Sequence, residues 1–318
     1  MKTFDEQYID LCRRILDHGE SLKNYSESDS RAASVSSQIP NHVSQAKSEA
    51  KTLRLPHEIF RFDLEEGFPI LTSKQVAFKT AVLELLWIYQ VASNEVAWLK
   101  DRGVKIWNEW EIPASGLYEG KNYIDLYKKK GISGSPIGTI GTAYGWIINR
   151  YSLSKNLLAT LKSAPGNRRM VMSLWQNEWL ETAALPSCVW NSQWNITSGR
   201  LNLLVTSRSS DVPLGLPFNI VQYATLCFLF AHCLDLKPGL FTFMTNDAHI
   251  YENQVDGIRE QIRRFDDAMK SGGLPPAPTL WINPEKTDFF AFDNSKALSD
   301  VRLENYTNLG VLKMPVTE

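Results

Sequence analysis

The stretch Arg208–Asn219, RSSDVPLGLPFN, constrains this chain more than any other part of it. An arginine, two serines and an aspartate come first, then a Pro/Gly-broken turn, then apolar residues around one amide, Asn219. A guanidinium fork and short hydroxyls match the oxygens of a phosphate. A buried asparagine sets a donor and an acceptor side by side, the pattern needed to read the edge of a uracil ring. The same residue would also suit a helix start after Pro217. Twenty residues upstream, Cys188 in LPSCVWNSQW follows a proline-containing turn and precedes a predicted strand. A cysteine so placed can act as a nucleophile, and arginines around it favour the thiolate. The combination points to covalent chemistry on a pyrimidine nucleotide.

The charge balance leaves room for a small anionic ligand and little else. A formal net charge of −1 over 318 residues gives no signal for DNA or for an anionic membrane. The four cysteines, Cys12, Cys188, Cys227 and Cys233, form no CxxC pair and no Cys/His spacing for zinc, so no metal is expected. Cys227 and Cys233 read as small core hydrophobes within QYATLCFLFAHCLDL. That run is about 15 residues long and interrupted by His232, too short and mixed to span a bilayer. The N-terminus alternates charged and apolar residues at helical spacing, unlike a signal peptide. A reduced, cytoplasmic enzyme is expected.

Along the chain, residues 4–18 carry Phe4, Tyr8, Leu11, Ile15 and Leu16 on one helical face. Residues 20–52, rich in Ser, Ala, Asn and Gln, read as a loop or a partly disordered segment. Strands are expected at Ile59–Leu64, Met170–Trp175, Gln193–Thr197, Leu201–Val205 and, briefly, Thr242–Met244. Helices are expected at Val76–Tyr89, Glu95–Lys100, Leu157–Leu161, Pro217–Leu236 and Asn253–Met269. The composition shift at 111–138 suggests a small inserted lobe, about 111–140, within one domain spanning 1–318. Mixed strands and helices without regular alternation argue for an α+β fold.

LPSC, RSSDVPLGLPFN and DAHIY resemble signature segments of the thymidylate synthase family. So do FRFDLEEGFPILTSK (60–74), ELLW (84–87), IWNEW (106–110), AYG (143–145) and NRRMVMSLW (167–175). They run in family order from about residue 58 to the C-terminus, some four-fifths of the chain, while the segment before, above all 20–57, matches poorly. The resemblance implies a twisted mixed sheet that forms a homodimer interface, with helices on its other face. It implies a methyltransferase that converts dUMP to dTMP with 5,10-methylenetetrahydrofolate as cosubstrate, giving dihydrofolate. The alternative within the superfamily is a dUMP 5-hydroxymethylase, in which water replaces hydride; the bulky indole of Trp107 would help to exclude that water. An inactive homologue that only binds nucleotide or RNA is disfavoured by the intact Cys/Asn/Arg set and the lack of a basic stripe.

By the same resemblance, Cys188 adds to C6 of dUMP and makes C5 nucleophilic. Arg208 and Ser209 hold the phosphate from the same subunit, while Arg168 and Arg169 reach it from the partner. Asn219 reads O4 and N3 of uracil, and His249 and Tyr251 bind the 3′-hydroxyl. Glu84, set in an apolar run that should raise its pKa, serves proton transfer. Tyr144 lies near the C5 proton, and Asp211 contacts the pterin ring. Ile106, Trp107, Trp110, Leu185, Leu214, Gly215 and Phe218 wall the folate site with Glu84, Asp211 and Tyr251, although each apolar one alone reads equally well as core. Met314–Glu318 resembles a closing tail.

Some positions depart from the family pattern. The N-terminal phosphate-binding arginine is missing, and spacing back from Arg61 puts Lys47 in its place, with Arg31 as the alternative. Val189 stands where many members have histidine, Ser207 replaces a common glutamine, and Thr245 and Asn246 replace glycines.

Overall fold

A computed structural model of the chain describes residues 1–23 and 51–316. Lys47 and Arg31 fall outside the described residues. The first helix, α1 (Phe4–His18), starts at a capping box. Thr3 Oγ1 accepts the Glu6 N–H at 3.2 Å, and the Thr3 N–H donates to Glu6 Oε2 at 2.7 Å. Two donors that helix geometry leaves unpartnered are thereby satisfied. The apolar face turns inward through Phe4, Tyr8, Leu11, Cys12 and Ile15. Asp5, buried on the same side, accepts from the Thr72 N–H at 2.8 Å, the Thr72 hydroxyl at 2.9 Å and the Ser73 N–H at 2.9 Å. The next residue, Lys74, donates its ammonium to the Pro213 carbonyl. The N-terminal helix is thus tied through one turn to the loop 208–219.

After α1 come β1 (Glu20–Lys23) and β2 (Lys51–Asp63), then α2 (Phe78–Tyr89) and α3 (Val96–Asp101). A small hairpin, β3 (Leu117–Tyr118) and β4 (Lys121–Asn122), leads into α4 (Tyr123–Lys130). It packs round a separate small cluster of Ile112, Tyr123 and Ala184. Next are α5 (Gly145–Arg150), α6 (Leu153–Ser163), β5 (Val171–Ser173), β6 (Val189–Thr197), β7 (Arg200–Ser207) and β8 (Ser210–Asp211). The long α7 (Gly215–Cys233), β9 (Lys237–Tyr251), α8 (Val255–Lys270) and the pair β10 (Thr279–Ile282) and β11 (Val301–Glu304) complete the order.

The main sheet runs β1-β2-β9-β7-β6-β5, with β8 beside β9. β7 and β8 lie parallel to β9, and the neighbours β2–β9, β6–β7 and β5–β6 are antiparallel. A parallel pair needs a crossover, and α7 supplies it. Strand periodicity then sorts the faces. Met172, Ser192, Val205, Phe243 and Phe60 form one row across five strands, and all are buried under the helices. The adjacent row, Val171, Gln193, Leu204, Thr242 and Arg61, points the other way. On that outer face Ile59 and Leu240 are each 48% exposed and Val171 is 44% exposed. The α+β class holds.

Several boundaries differ from the sequence reading. Residues 20–52 were expected as loop, yet β1 and the start of β2 lie there, paired Glu20↔Arg54 to Lys23↔Lys51. Pro56 and the left-handed His57 (φ 57°) break the alternation that would have revealed β2 upstream of Ile59. Proline is tolerated because β1 pairs only with residues 51–54, so Pro56 has β9 on one side alone among the described strands. β9 is one strand of 15 residues rather than a short one at 242–244, since polar Thr245–Asp247 continue the ladder with β2. α7 has 19 residues and starts two earlier than expected, with Pro217 in its first turn, where the missing N–H costs nothing. By length and composition it could cross a bilayer, contrary to the estimate of about 15 residues; it is core because 72% of it is buried inside the fold.

Replacing Asp5 with alanine strands three buried donors on residues 72 and 73. The expected cost is about 2–4 kcal/mol, read as a lower denaturant midpoint at unchanged slope. An unaltered midpoint would show that the clamp does not hold α1.

Candidate active site

Cys188 sits at the entry to β6, where Val189 pairs with Ser207 and brings the start of the 208–219 loop alongside. The Cys188 N–H donates to the Tyr144 hydroxyl at 3.0 Å. Its carbonyl accepts from the Arg208 N–H at 2.9 Å and from the Ser207 hydroxyl at 3.2 Å. Arg208 folds back over it: Nε donates to the Ser187 carbonyl at 3.2 Å, and Nη2 lies 2.9 Å from the Pro186 carbonyl and 3.5 Å from Cys188 Sγ. A fixed positive charge therefore stands beside the sulfur.

Tyr144 adopts a left-handed backbone (φ 44°), uncommon for a bulky residue and costly unless its surroundings hold it. The next residue must be glycine: a Cβ on Gly145 would stand 1.9 Å from the Ser93 carbonyl oxygen. This close approach sets the phenol under Cys188. Burial, and secondly the Cys188 charge, push the phenol well above its ordinary pKa, so it remains protonated. Its ring meets Trp107 edge to face at 5.3 Å, and Trp107 meets Trp110 at 5.5 Å.

Trp107 Nε1 donates to Glu84 Oε1 at 2.6 Å. Glu84 lies on α2 among Leu83, Leu85 and Leu86, and burial raises its carboxyl to about 7 against the pull of its hydrogen bonds. Its Oε2 accepts from Gln222 Nε2 at 2.7 Å. Gln222 Oε1 in turn accepts from Asn219 Nδ2 at 3.2 Å. Asn219 is inside α7, not at its cap, which is Leu214. Contacts thus run unbroken from Cys188 through Tyr144, Trp107, Glu84 and Gln222 to Asn219.

Asp211 forms the other wall. Its Oδ1 accepts the Leu214 N–H at 3.0 Å, and its Oδ2 accepts from Gln254 Nε2 at 3.2 Å. Burial raises its pKa above the usual carboxylate range. Gln254 also donates to the Pro315 carbonyl at 3.0 Å, which binds the C-terminal segment to this wall. A Cβ on Gly215 would sit 3.7 Å from Asp211 Cβ and 4.0 Å from Asn219 Oδ1, so the two polar residues flank one backbone position. Ser209 Oγ lies 3.5 Å from His249 Nδ1, and the same nitrogen lies 2.7 Å from Asp247 Oδ1. Tyr251 packs edge-on to His249 at 5.1 Å. Leu185, Leu214 and Phe218 are half-buried, and Ile106 is exposed.

Arg168 and Arg169 do not join this group. Both are exposed, and no acid pairs with them among the described residues. Met170 precedes β5, whose register sets Val171 against Gln193. Arg169 lies just before β5, at the end where the ladder runs away from Cys188: the Met170 carbonyl accepts the Trp194 N–H at 2.9 Å.

Sequence reasoning missed three side chains. Gln222 stands one helical turn from Asn219, the spacing at which helix neighbours touch, and that spacing was its only signal. Gln254 had none, because its partners Asp211 and Pro315 are remote in sequence. Lys74 lies in a quoted motif, but its buried ammonium, lowered by desolvation to about 8, is visible only in three dimensions. Among the described residues no three His, Cys, Asp or Glu side chains gather to hold a metal ion.

The family model described as thymidylate synthase matches residues 6–318, so the likeness begins well before residue 58, in α1. A thymidylate synthase of Clostridium beijerinckii is 40% identical over 317 residues, covering 100% of each chain. Thymidylate synthase 1 of Bacillus subtilis is 34% identical and covers 96% of each. The solved thermostable thymidylate synthase A of Bacillus subtilis superposes with a TM-score of 0.77 at 32% identity, covering 99% of each chain. The hydroxymethylase alternative gains nothing from these relatives. The chain belongs to the thymidylate synthase family.

Proposed function

We propose that this enzyme carries out the reductive methylation of dUMP to dTMP with 5,10-methylenetetrahydrofolate, giving dihydrofolate. The observation that carries the reading is the continuous contact path from a guanidinium-flanked thiol, Cys188, to the amide of Asn219. Cys188 sulfur bonds to C6 of the base, and the displaced π electrons make C5 a nucleophile. When bound, the folate supplies the one-carbon unit and the hydride. Asn219 holds the uracil edge, and the neutral phenol of Tyr144 lies where the C5 proton departs. Glu84, ionising near 7, can hold or release a proton at neutral pH. Asp211 and the half-buried Trp110, Leu185, Leu214 and Phe218 suit a flat, mostly apolar ring system with few polar anchors. Ser209 and Arg208 face the phosphate, and His249 and Tyr251 the sugar.

The active unit is a homodimer formed through the outer sheet face, in the cytoplasm. The exposed apolar residues Ile59, Val171 and Leu240 on that face favour a covered surface. The exposure of Arg168 and Arg169, and their place at the end of β5 away from Cys188, favour phosphate binding by both in the partner's site.

Cys188→Ser should leave the fold intact and lower kcat by on the order of 10⁴-fold or more, measured as dTMP formed from dUMP and methylenetetrahydrofolate. Retention of most activity would sink the covalent mechanism, and a hydroxymethylated product would sink the synthase reading.

Mixing inactive Cys188→Ser chains with inactive Arg169→Ala chains should restore part of the activity, because each hybrid dimer keeps one site with both groups. No recovery in verified heterodimers would mean that the sites are not shared.

Glu84 also fixes a pH dependence. Its folded pKa is raised, so between about 4.5 and 7 the folded state binds more protons than the unfolded one, and stability falls as pH rises through that window. Glu84→Gln removes the ionisation. The variant should gain on wild type by up to roughly 3 kcal/mol as pH goes from 4.5 to 8, while losing at least about 100-fold in kcat. A stability difference flat in pH would show that Glu84 does not titrate there.

A further inference from the structure

Gln222 has the chemistry of an orienting device. It is buried at 5% exposure, and its amide is gripped from three sides. Nε2 lies 2.7 Å from Glu84 Oε2 and 3.2 Å from the Ala81 carbonyl oxygen. A backbone carbonyl only accepts, and so does an ionised carboxylate. The end of Gln222 that faces them must therefore be the nitrogen, because the reverse orientation would set oxygen against two oxygens. Its Oε1 is then committed to the opposite side, 3.2 Å from Asn219 Nδ2. An acceptor there forces Asn219 to present nitrogen inward. Among the described residues Asn219 Oδ1 accepts no hydrogen bond, so that oxygen and the second Nδ2 hydrogen are left for a ligand.

We propose that Gln222 is a positioning residue for base selection: it transmits the acceptor character of Ala81 and Glu84 to Asn219 and locks that amide in the one orientation that matches uracil. The inference rests on Asn219 reading the base. Uracil offers an acceptor at O4 next to a donor at N3, and the locked amide offers one donor and one acceptor to meet them. Cytosine offers a donor at the 4-amino group next to an acceptor at N3, and would need the amide turned over. Turning Asn219 sets its Oδ1 against Gln222 Oε1, and Gln222 cannot yield without opposing Glu84 and the Ala81 carbonyl. The penalty against cytosine is thus held two residues away from the base, in a chain of fixed donors. A buried polar group left facing its like is what gives such sites strong discrimination. Val189, buried and apolar beside Cys188, contributes no competing donor.

The test is equilibrium binding of dUMP, dCMP and deoxyribose 5-phosphate to the full-length dimer, without folate, for wild type, Gln222→Leu and Gln222→His. Leucine keeps the volume and removes both donor and acceptor. Imidazole keeps one N–H and one lone pair on opposite edges, so it can pass the same polarity from Glu84 to Asn219. In Gln222→Leu the ratio of dCMP to dUMP dissociation constants should fall tenfold or more, with deoxyribose 5-phosphate bound as in wild type. Gln222→His should restore most of the ratio. An unchanged ratio in Gln222→Leu overturns the proposal, as does an equal loss in both variants while the sugar phosphate still binds. Should Gln222→Leu fail to fold, the histidine variant decides alone, by keeping the wild-type ratio or losing it. If wild type itself binds dCMP as tightly as dUMP, it is the reading of Asn219 that fails and not the relay.

Discussion

Glu84 places a carboxylate in the middle of VLELLW, a strongly apolar helix segment buried in the core. Burying an ionised carboxylate costs several kcal/mol unless its lone pairs are taken. Trp107 takes one oxygen and Gln222 takes the other. Each of those donors is then committed, and the commitments spread. Trp107 is held edge-on against Tyr144, whose hydroxyl receives the Cys188 N–H. Gln222 orients toward Asn219. One buried charge therefore sets the geometry of the thiol on one side and of the amide on the other. It also ionises near neutral pH for the same reason that it is expensive to bury.

The sheet supplies the frame that makes these placements repeatable. β6 and β7 bring Cys188 and Arg208 together by register, while the parallel pair β7–β9 requires α7 to cross over the buried face. That crossover lays Asn219 and Gln222 beside Glu84 on α2. The Asp5–Thr72–Ser73 clamp and the Lys74–Pro213 contact hold the start of α7 from beneath. Residues from distant parts of the chain meet in one candidate site because α2 and α7 pack on the buried face of one sheet.

Much of this was legible from the residues, and the parts that were not have a common cause. The amphipathic helices α1 and α8 and the strongly apolar α2 appeared within a few residues of their expected limits. β7 announced itself by alternation. β2 and β9 were read too short because Pro56, His57 and Thr245–Asp247 look like turn chemistry, and only pairing with each other keeps them extended. The closeness of Cys188 and Arg208 was legible because they lie in two compact motifs. Gln254, Lys74 and the carbonyl partners of Arg208 were not, since a hydrogen bond between residues remote in sequence leaves no local trace. Residue type alone also could not separate Arg208, folded against Cys188, from Arg168 and Arg169, which are exposed just before β5.

That separation bears on assembly. The face of the sheet away from the helices carries Val171, Leu204 and Ile59 interspersed with Gln193, Thr242 and Arg61, a mixture that is neither a core nor an ordinary solvated surface. Arg168 and Arg169 are exposed just before β5, the last strand in the sheet order. In the proposed dimer, covering the apolar residues and delivering the arginines are one event. In that reading a chain that had not paired would keep its thiol, its amide, its buried carboxylate and Arg208, but would lack the two arginines that the partner adds at the phosphate. Substrate affinity would then depend on the contact that removes the exposed apolar surface, so that the hydrophobic term stabilising the dimer also completes the site.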